Sequence, residues 1–197
     1  MSHKNLLITG FDPFGGESVN PSWEAVKLLP EEIGPFRLHK LRIPTIFGLA
    51  SQTVLTTARQ LQPHVILCVG QAAGRCAITP ERIAINVRDA RIGDNQGNQP
   101  RGEFIDPNGP AAYFASVDVT AMATAIDAAG LPAAVSNSAG TFVCNETLYS
   151  LLHHCADTDT RVGFIHIPQL PQQTKQGAAS MPLEDMIKGL TAAIAVL

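Results

Sequence analysis

The hydrophobic positions of the chain follow two alternating patterns. Short continuous apolar runs at residues 6–8, 65–69 and 162–167 are typical of strands buried on both faces of a largely parallel sheet. Between these runs apolar residues recur at helical spacing, as at Val54, Ala58 and Leu61 near the middle of the first half. This alternation predicts an α/β fold, and for a chain of this size a three-layer α/β/α sandwich.

Helix boundary signals accompany the helical patterns. Asn20 followed by a proline predicts a helix start, because proline is favoured at the first helical position. Asp118 is a good N-cap and Gly130 a good stop for a second helix. A third helical pattern covers residues 183–194 after a proline, so the chain is expected to end in a helix.

Three further segments depart from these two patterns. Residues 81–88 alternate apolar and polar types, which predicts a half-exposed strand with antiparallel pairing and therefore a mixed, mostly parallel sheet. Residues 133–136 read as a short strand that leads into a polar turn and a helix. Residues 89–110 are rich in proline and Asn-Gly-type breakers, and a loop of that length is usually functional.

Composition and charge narrow the class of protein. The length of 197 residues predicts a single domain, 1–197. A composition of 45% hydrophobic and 16% charged residues excludes wholesale disorder. A net charge of -3 argues against partners such as nucleic acid or an anionic membrane surface. No run reaches the ~18 apolar residues of a membrane span. The start lacks the apolar region of a signal peptide, which predicts a cytoplasmic protein with free thiols.

Cys144 is the first candidate for chemistry. It falls in the first turn of a predicted helix, where free N–H groups and the helix dipole stabilise an anion, so we expect a lowered thiol pKa. The same N–H groups could hold an oxyanion. The alternative is a buried structural thiol, since free cysteine is among the most buried residue types.

Two other residues supply the groups that a cysteine nucleophile needs. His166 ends an apolar strand, at the edge where open α/β sheets bind ligands, and an imidazole there can act as a base. Glu81 could orient that imidazole, although spacing alone does not bring residues 81, 144 and 166 together. A hydrogen-bonded core histidine is the alternative for His166.

The glycine-rich segment 10–16 follows the first strand but matches neither phosphate-binding motif. Its two phenylalanines favour an apolar, aromatic-walled pocket. No CxxC or HExxH spacing is present, so we expect neither a metal site nor a cofactor.

Four segments together resemble one family. Residues 10–16 with 20–23, residues 70–86, residues 136–145 and residues 164–168 are similar, in order and spacing, to the opening, glutamate, cysteine and histidine motifs of the pyroglutamyl peptidase I (pyrrolidone-carboxylate peptidase) family. The resemblance implies a cytosolic α/β/α cysteine exopeptidase, often a homotetramer, that needs no metal. It would remove an N-terminal pyroglutamyl residue from peptides through a thioester acyl-enzyme.

The resemblance also implies roles for individual residues. Cys144 would be the nucleophile, His166 the general base and acid, and Glu81 the orienting carboxylate. The implied substrate-binding residues are Phe11, Phe14, Asn20, Gln71, Arg91 and Phe142, of which the arginine would lie close to the reacting carbonyl.

One residue departs from the family pattern. Ala73 stands where the family usually has glycine, and alanine would be strained there if the position needed a positive φ. That departure keeps open a catalytically inactive ligand-binding protein on the same fold. A phosphorylase-like enzyme is a second alternative, which the lack of a basic, glycine-open phosphate loop disfavours.

Overall fold

The computed structural model describes residues 3–175 and 177–197 and contains a mixed six-stranded sheet with helices on both faces. The strand order is β2-β3-β1-β4-β8-β5. Strands β1, β3, β4 and β8 are parallel, whereas β2 and β5 pair antiparallel with β3 and β8. The strands are β1 (Lys4–Phe11), β2 (Glu32–Ile33), β3 (Phe36–Ile43), β4 (Val65–Gln71), β5 (Thr79–Pro80), β6 (Ile83–Ile85), β7 (Ala112–Phe114) and β8 (Arg161–Ile167). The helices are α1 (Pro21–Leu28), α2 (Leu49–Leu61), α3 (Val119–Ala128), α4 (Val143–Cys155) and α5 (Leu183–Ile194).

Strand β1 shows how the layers form. Successive side chains of a strand point to opposite faces, so Leu6 and Ile8 pack in one core with α1, α3 and α5. Leu7 and Phe11 pack in a second core with α2 and α4. The predicted three-layer sandwich around a mixed, mostly parallel sheet is confirmed.

Two strand predictions are corrected. The antiparallel pairing predicted for the alternating segment 81–88 is confirmed, because β6 pairs antiparallel with β7. The prediction that this strand belongs to the main sheet is wrong, since β6 and β7 form a separate two-stranded sheet and the main sheet is mixed because of β2 and β5. Residues 133–136 do not form a strand, because only Ala133 and Ser136 make isolated bridges, to Ile78 and Glu81.

Strand β3 has no counterpart among the sequence predictions. Its apolar residues are separated by Arg37, by the pair His39 and Lys40, and by Arg42, so it lacks the continuous apolar run of the other central strands. It becomes the partner of β1 because the adjacent β1 backbone offers a full ladder of hydrogen bonds along eight paired residues.

The predicted helix boundaries agree closely with the structure. Asn20 caps α1 by accepting a hydrogen bond from the Ser22 amide, and Asp118 caps α3 by accepting from the amides of Thr120 and Ala121. Gly130 has a positive φ of 80° just after α3, the left-handed conformation that glycine adopts most easily.

Gly10 sets how closely α1 lies on β1. A Cβ at Gly10 would come within 2.6 Å of Trp23 Cα and 2.7 Å of the Ser22 carbonyl carbon, and backbone atoms cannot rotate away. We expect Gly10→Ala to lower the free energy of unfolding by about 1–3 kcal/mol, the usual cost of overpacking. Urea denaturation should show a lower midpoint with an unchanged slope. An unchanged midpoint would contradict this close packing.

The described residues include all four cysteines, and each is free. Within residues 3–175 and 177–197, no helix is both long and apolar enough to cross a bilayer. Met1 and Ser2, on which part of the signal-peptide prediction rests, lie outside the described residues.

Candidate active site

A cavity of about 190 Å³ opens at the carboxyl ends of β1, β4 and β8, beside the start of α4. This is the edge at which open α/β sheets bind ligands. The cavity is lined by residues from five separate stretches of sequence. They are Phe11, Phe14, Asn20, Thr45, Gln71, Ala72, Arg75, Ala139, Gly140, Phe142, Cys144 and His166.

Glu81 and His166 form a buried pair behind this cavity. Strand β5 runs antiparallel to β8, and the Glu81 amide, one residue beyond β5, donates to the Phe164 carbonyl at 2.9 Å. The Glu81 carboxylate is thereby brought to His166, with 2.7 Å between Oε1 and Nδ1. Because a carboxylate only accepts hydrogen bonds, Nδ1 carries the proton and Nε2 is left as the basic nitrogen.

Cys144 is the second residue of α4, and its thiol lies over the bare backbone of Gly70. A Cβ at Gly70 would be 3.0 Å from Cys144 Sγ. Gly70 is also the register partner of His166 on the neighbouring strand, and adjacent strands lie about 4.8 Å apart. The glycine therefore brings the thiol and the imidazole to the same end of the cavity.

The electrostatics of Cys144 overturn one expectation. The pKa of this thiol is raised to about 12, chiefly by burial and then by the negative charges of Glu81 and Cys68, which the smaller lowering effects of Arg75 and the backbone only partly offset. The helix start was expected to lower the thiol pKa, but desolvation outweighs that effect here. Because burial favours the protonated thiol, a base must take the Cys144 proton as the sulfur reacts.

Arg75 is a site residue that the sequence analysis missed. Its Nη1 atom lies 2.7 Å from Glu81 Oε1, on the same oxygen that His166 uses. Burial raises the pKa of Glu81, but the hydrogen bond and charge of His166, together with Ser136 and Arg75, outweigh burial and leave that pKa lowered. The available signal was a lone cation in the turn after β4, but its partner could not be known from sequence.

The aromatic wall of the cavity contains Phe11, Phe14 and Phe142. The rings of Phe14 and Phe142 are 6.0 Å apart, and Phe47 packs edge-on against Phe142 with centroids 5.2 Å apart. Phe11 instead contacts Phe164, at 6.2 Å. The sequence analysis did not include Phe47, because it lies in a loop without a motif.

The polar residues of the expected pocket differ in what their side chains do. Asn20 is occupied by the fold, since its Oδ1 accepts from Ser22 and its Nδ2 donates to the Asp12 carbonyl. Gln71 ends β4 at the cavity. Arg91 is exposed and is not among the cavity-lining residues, although the backbone of Asp89 is hydrogen bonded to Thr141 beside the cavity.

Asp94 organises the long loop that supports the aromatic wall. Its carboxylate accepts from the amides of Phe47, Gln96 and Asn98 and from the Asn98 side chain, all at 2.8–2.9 Å. Burial raises the pKa of Asp94, but these hydrogen bonds outweigh it and leave the pKa lowered. The segment 89–110 is thus an ordered support for Phe47.

Ala73 shows none of the backbone strain that a positive φ would impose at this position. Among described non-glycine residues only Gln62 has a positive φ, whereas the neighbouring Gly74 has a φ of 81°. The turn after β4 therefore places its left-handed residue on the glycine, and alanine fits at position 73 without distortion.

A thiol, an imidazole and a carboxylate at the carboxyl edge of an α/β/α sheet define the class of cysteine hydrolases. Within the described part of the chain, no group of three histidine, cysteine, aspartate or glutamate side chains converges as a metal site would require.

Comparison with known proteins identifies the family. Residues 4–197 match the family described as pyroglutamyl peptidase. The pyrrolidone-carboxylate peptidase of Levilactobacillus brevis is 54% identical over 96% of this chain and 95% of its own length. That of Escherichia fergusonii is 50% identical over 97% and 91%. The chain belongs to the pyroglutamyl peptidase family, a family of cysteine peptidases.

Solved structures agree with this assignment. Pyroglutamyl peptidase I from Bacillus amyloliquefaciens superposes with a TM-score of 0.94 at 48% identity, covering 98% of this chain and 96% of that one. The pyrrolidone carboxyl peptidase of Thermococcus litoralis gives a TM-score of 0.93 at 36% identity, covering 98% and 92%.

Proposed function

We propose that this protein is a cysteine exopeptidase that removes an N-terminal pyroglutamyl residue from peptides. The observation that carries the proposal is the shared cavity: Cys144 and His166 line one small phenylalanine-walled space, and His166 is hydrogen bonded to the buried Glu81. Family membership supports the same activity.

The size and lining of the cavity suit a pyroglutamyl ring. Its volume of about 190 Å³ is below the ~300–1,000 Å³ of pockets for drug-sized ligands, as expected for a site that takes one small flat ring. Phe14 and Phe142 offer apolar ring surface to the substrate ring, and Gln71 offers an amide for the lactam. A proline ring would leave that amide unpaired, which rejects a substrate more strongly than size does.

The proposed reaction has two stages. His166 Nε2 takes the Cys144 proton as sulfur attacks the carbonyl, and N–H groups of the first turn of α4 hold the oxyanion. The imidazolium then protonates the leaving amine, and a thioester remains. Water, deprotonated by His166, hydrolyses the thioester, and the proton returns to the thiol. Glu81 holds the imidazole in the required tautomer and stabilises its charged form.

The test compares a fluorogenic pyroglutamyl amide with the matching prolyl amide. We expect release from the pyroglutamyl amide alone, and complete loss after iodoacetamide treatment. Absence of release in reducing buffer at any pH between about 6 and 9, which spans histidine and cysteine titration, would refute the proposal. Tight binding of free pyroglutamate without turnover would identify a catalytically inactive ligand-binding protein. The reason for considering that alternative was backbone strain at Ala73, and Ala73 has no positive φ.

Asp94 gives a prediction about binding rather than chemistry. Asp94→Ala removes the acceptor for the Phe47 amide and should loosen the wall at Phe142. We expect KM to rise about tenfold, equivalent to ~1.4 kcal/mol of lost binding, with little change in kcat. The exposed Asp127 on α3 provides the control, since Asp127→Ala should alter neither constant. A fall in kcat with unchanged KM would contradict this role.

The finer features implied by the family resemblance belong to the same proposal. We include a cytoplasmic location, with which four free thiols are compatible, and a homotetramer. Phe104 and Phe114 are 64% and 70% exposed, and such apolar surface is available to a second copy. Light scattering of the purified protein measures the assembly directly.

A further inference from the structure

Arg75 joins three parts of the site through one guanidinium. Nη1 donates to Glu81 Oε1 at 2.7 Å and also to the Thr79 hydroxyl, and Nη2 donates to the Ser138 carbonyl at 3.2 Å. Ser138 belongs to the loop that carries Gly140 and leads into α4. The same side chain therefore contacts the carboxylate behind His166 and the loop that precedes Cys144.

The hydrogen bonds to Glu81 are unevenly distributed. His166 Nδ1 and Arg75 Nη1 both converge on Oε1, and Oε2 is buried with no hydrogen-bond partner. Within the described residues, Arg75 is the only permanent cation within 4 Å of this carboxylate, because the other ion-pair partner is the imidazole. A buried charge without compensation is costly, so Glu81 depends on Arg75 whenever His166 is neutral.

A charge count shows why this matters during the reaction. When the imidazole and the thiol are both neutral, the Glu81 carboxylate and the Arg75 guanidinium balance each other's charge. When Cys144 attacks, the imidazolium and the oxyanion appear together, and the charges balance again. Without Arg75 both states would carry one uncompensated negative charge in a buried setting.

We propose, on the basis of the proposed peptidase function, that Arg75 is a positioning residue that keeps Glu81 ionised and aligned on His166 while fixing the 138–140 loop beside Cys144. It acts through Glu81 and the loop carbonyl. Its side chain is 31% exposed and reaches the cavity, so a small cation in solution can enter its place.

The expected effect of Arg75→Ala falls on chemistry and on pH dependence. General acid–base catalysis contributes about 10²–10⁴-fold to the rate. Because Arg75 affects His166 only through Glu81, we expect kcat to fall by less, about 10–100-fold, with a smaller change in KM. The charged and titratable groups facing this position are Glu81, His166, Cys144 and, behind the thiol, Cys68. Losing a positive charge favours the imidazolium, so the acid limb of kcat/KM should move to higher pH by about one pH unit.

Two variants and one additive separate positioning from simple damage to the fold. Guanidinium chloride at non-denaturing concentration should restore part of the Arg75→Ala rate. Arg75→Lys should keep the acid limb near its wild-type position, because the charge remains, but not the full rate, because an ammonium cannot span Glu81 and Ser138. Arg82→Ala is the matched control. The Arg82 side chain donates to Asn137 and not to Glu81, and its backbone bond to Ser136 survives the substitution, so rate and pH profile should be unchanged.

A measurement without substrate keeps this inference distinct from the peptidase proposal. Iodoacetamide alkylation of Cys144, followed by mass spectrometry to resolve it from the exposed Cys76, should be slower in Arg75→Ala between about pH 6 and 9. Removing the guanidinium that lies 2.7 Å from Glu81 leaves the negative charge of Glu81 uncompensated, and that charge disfavours the thiolate. Slower alkylation with an inactive wild type would support the role of Arg75 and refute the peptidase proposal. Wild-type alkylation and pH profile in Arg75→Ala, or a lost rate that guanidinium does not restore, would overturn the inference.

Discussion

Cys144→Ser is expected to abolish release of the fluorophore from a pyroglutamyl amide, with kcat reduced by at least about 10⁴-fold, as for loss of other nucleophiles. The thiol already has a pKa raised to about 12 by burial, and a serine hydroxyl in the same setting is harder still to deprotonate. The site is built for a thiol, which is the more acidic and the more nucleophilic group, so the serine variant should attack the carbonyl far more slowly. Single-turnover kinetics with excess enzyme would measure any residual reaction.

Ligand binding should survive this change, because sulfur and oxygen differ little in size and the aromatic wall is untouched. Free pyroglutamate should therefore bind Cys144→Ser with the same affinity as the wild type in a calorimetric titration. Cys76→Ser is the matched control, since Cys76 is exposed and should contribute nothing to turnover. A serine variant as active as the wild type would show that Cys144 is not the nucleophile.

Glu81→Gln is expected to have the second largest effect, lowering kcat by about 10²–10⁴-fold. Glutamine keeps an oxygen for His166 Nδ1 but loses the charge that stabilises the imidazolium, and it leaves Arg75 uncompensated beside that ring. The acid limb of kcat/KM should therefore move to lower pH, opposite to Arg75→Ala. A pH profile from about 5 to 9, around the histidine titration, measures both shifts.

A second buried carboxylate provides the control for Glu81. Glu146 on α4 accepts from the Gly48 amide at 3.1 Å, and a glutamine oxygen can accept that bond equally well. Burial raises the pKa of Glu146, which the Gly48 bond and Arg88 only partly offset. Glu146→Gln should keep both the rate and the pH profile. An equal loss of rate in both variants would assign the effect to buried charge in general.

Stability should depend on pH through Glu81 as well. Its folded pKa lies below the ordinary value of 4.5, so the folded state gains stability from the carboxylate above that value and loses it as the pH falls through the folded pKa. Urea denaturation of the wild type should show this acid loss, and Glu81→Gln should show a flatter dependence. Identical acid dependence in both proteins would contradict the lowered pKa.

Features set by neighbours along the chain could be predicted from the sequence. Continuous apolar runs predict the strands β1, β4 and β8, and the capping residues Asn20 and Asp118 predict the starts of α1 and α3. These predictions succeed because they depend on local periodicity and local hydrogen bonds. The position of Cys144 at a helix start is of the same kind. The family motifs added the expected partners of Cys144.

The tertiary structure decided everything that depends on separated segments. Only the antiparallel docking of β5 on β8 brings Glu81 to His166 across 85 positions, and only the fold shows Arg75 on the same carboxylate oxygen. Phe47 enters the aromatic wall through a loop held by Asp94. The direction of the Cys144 pKa shift also depends on the tertiary structure. A helix start is a local feature and favours the thiolate, whereas desolvation depends on every segment packed around the sulfur. Desolvation is the larger effect here, so the pKa is raised.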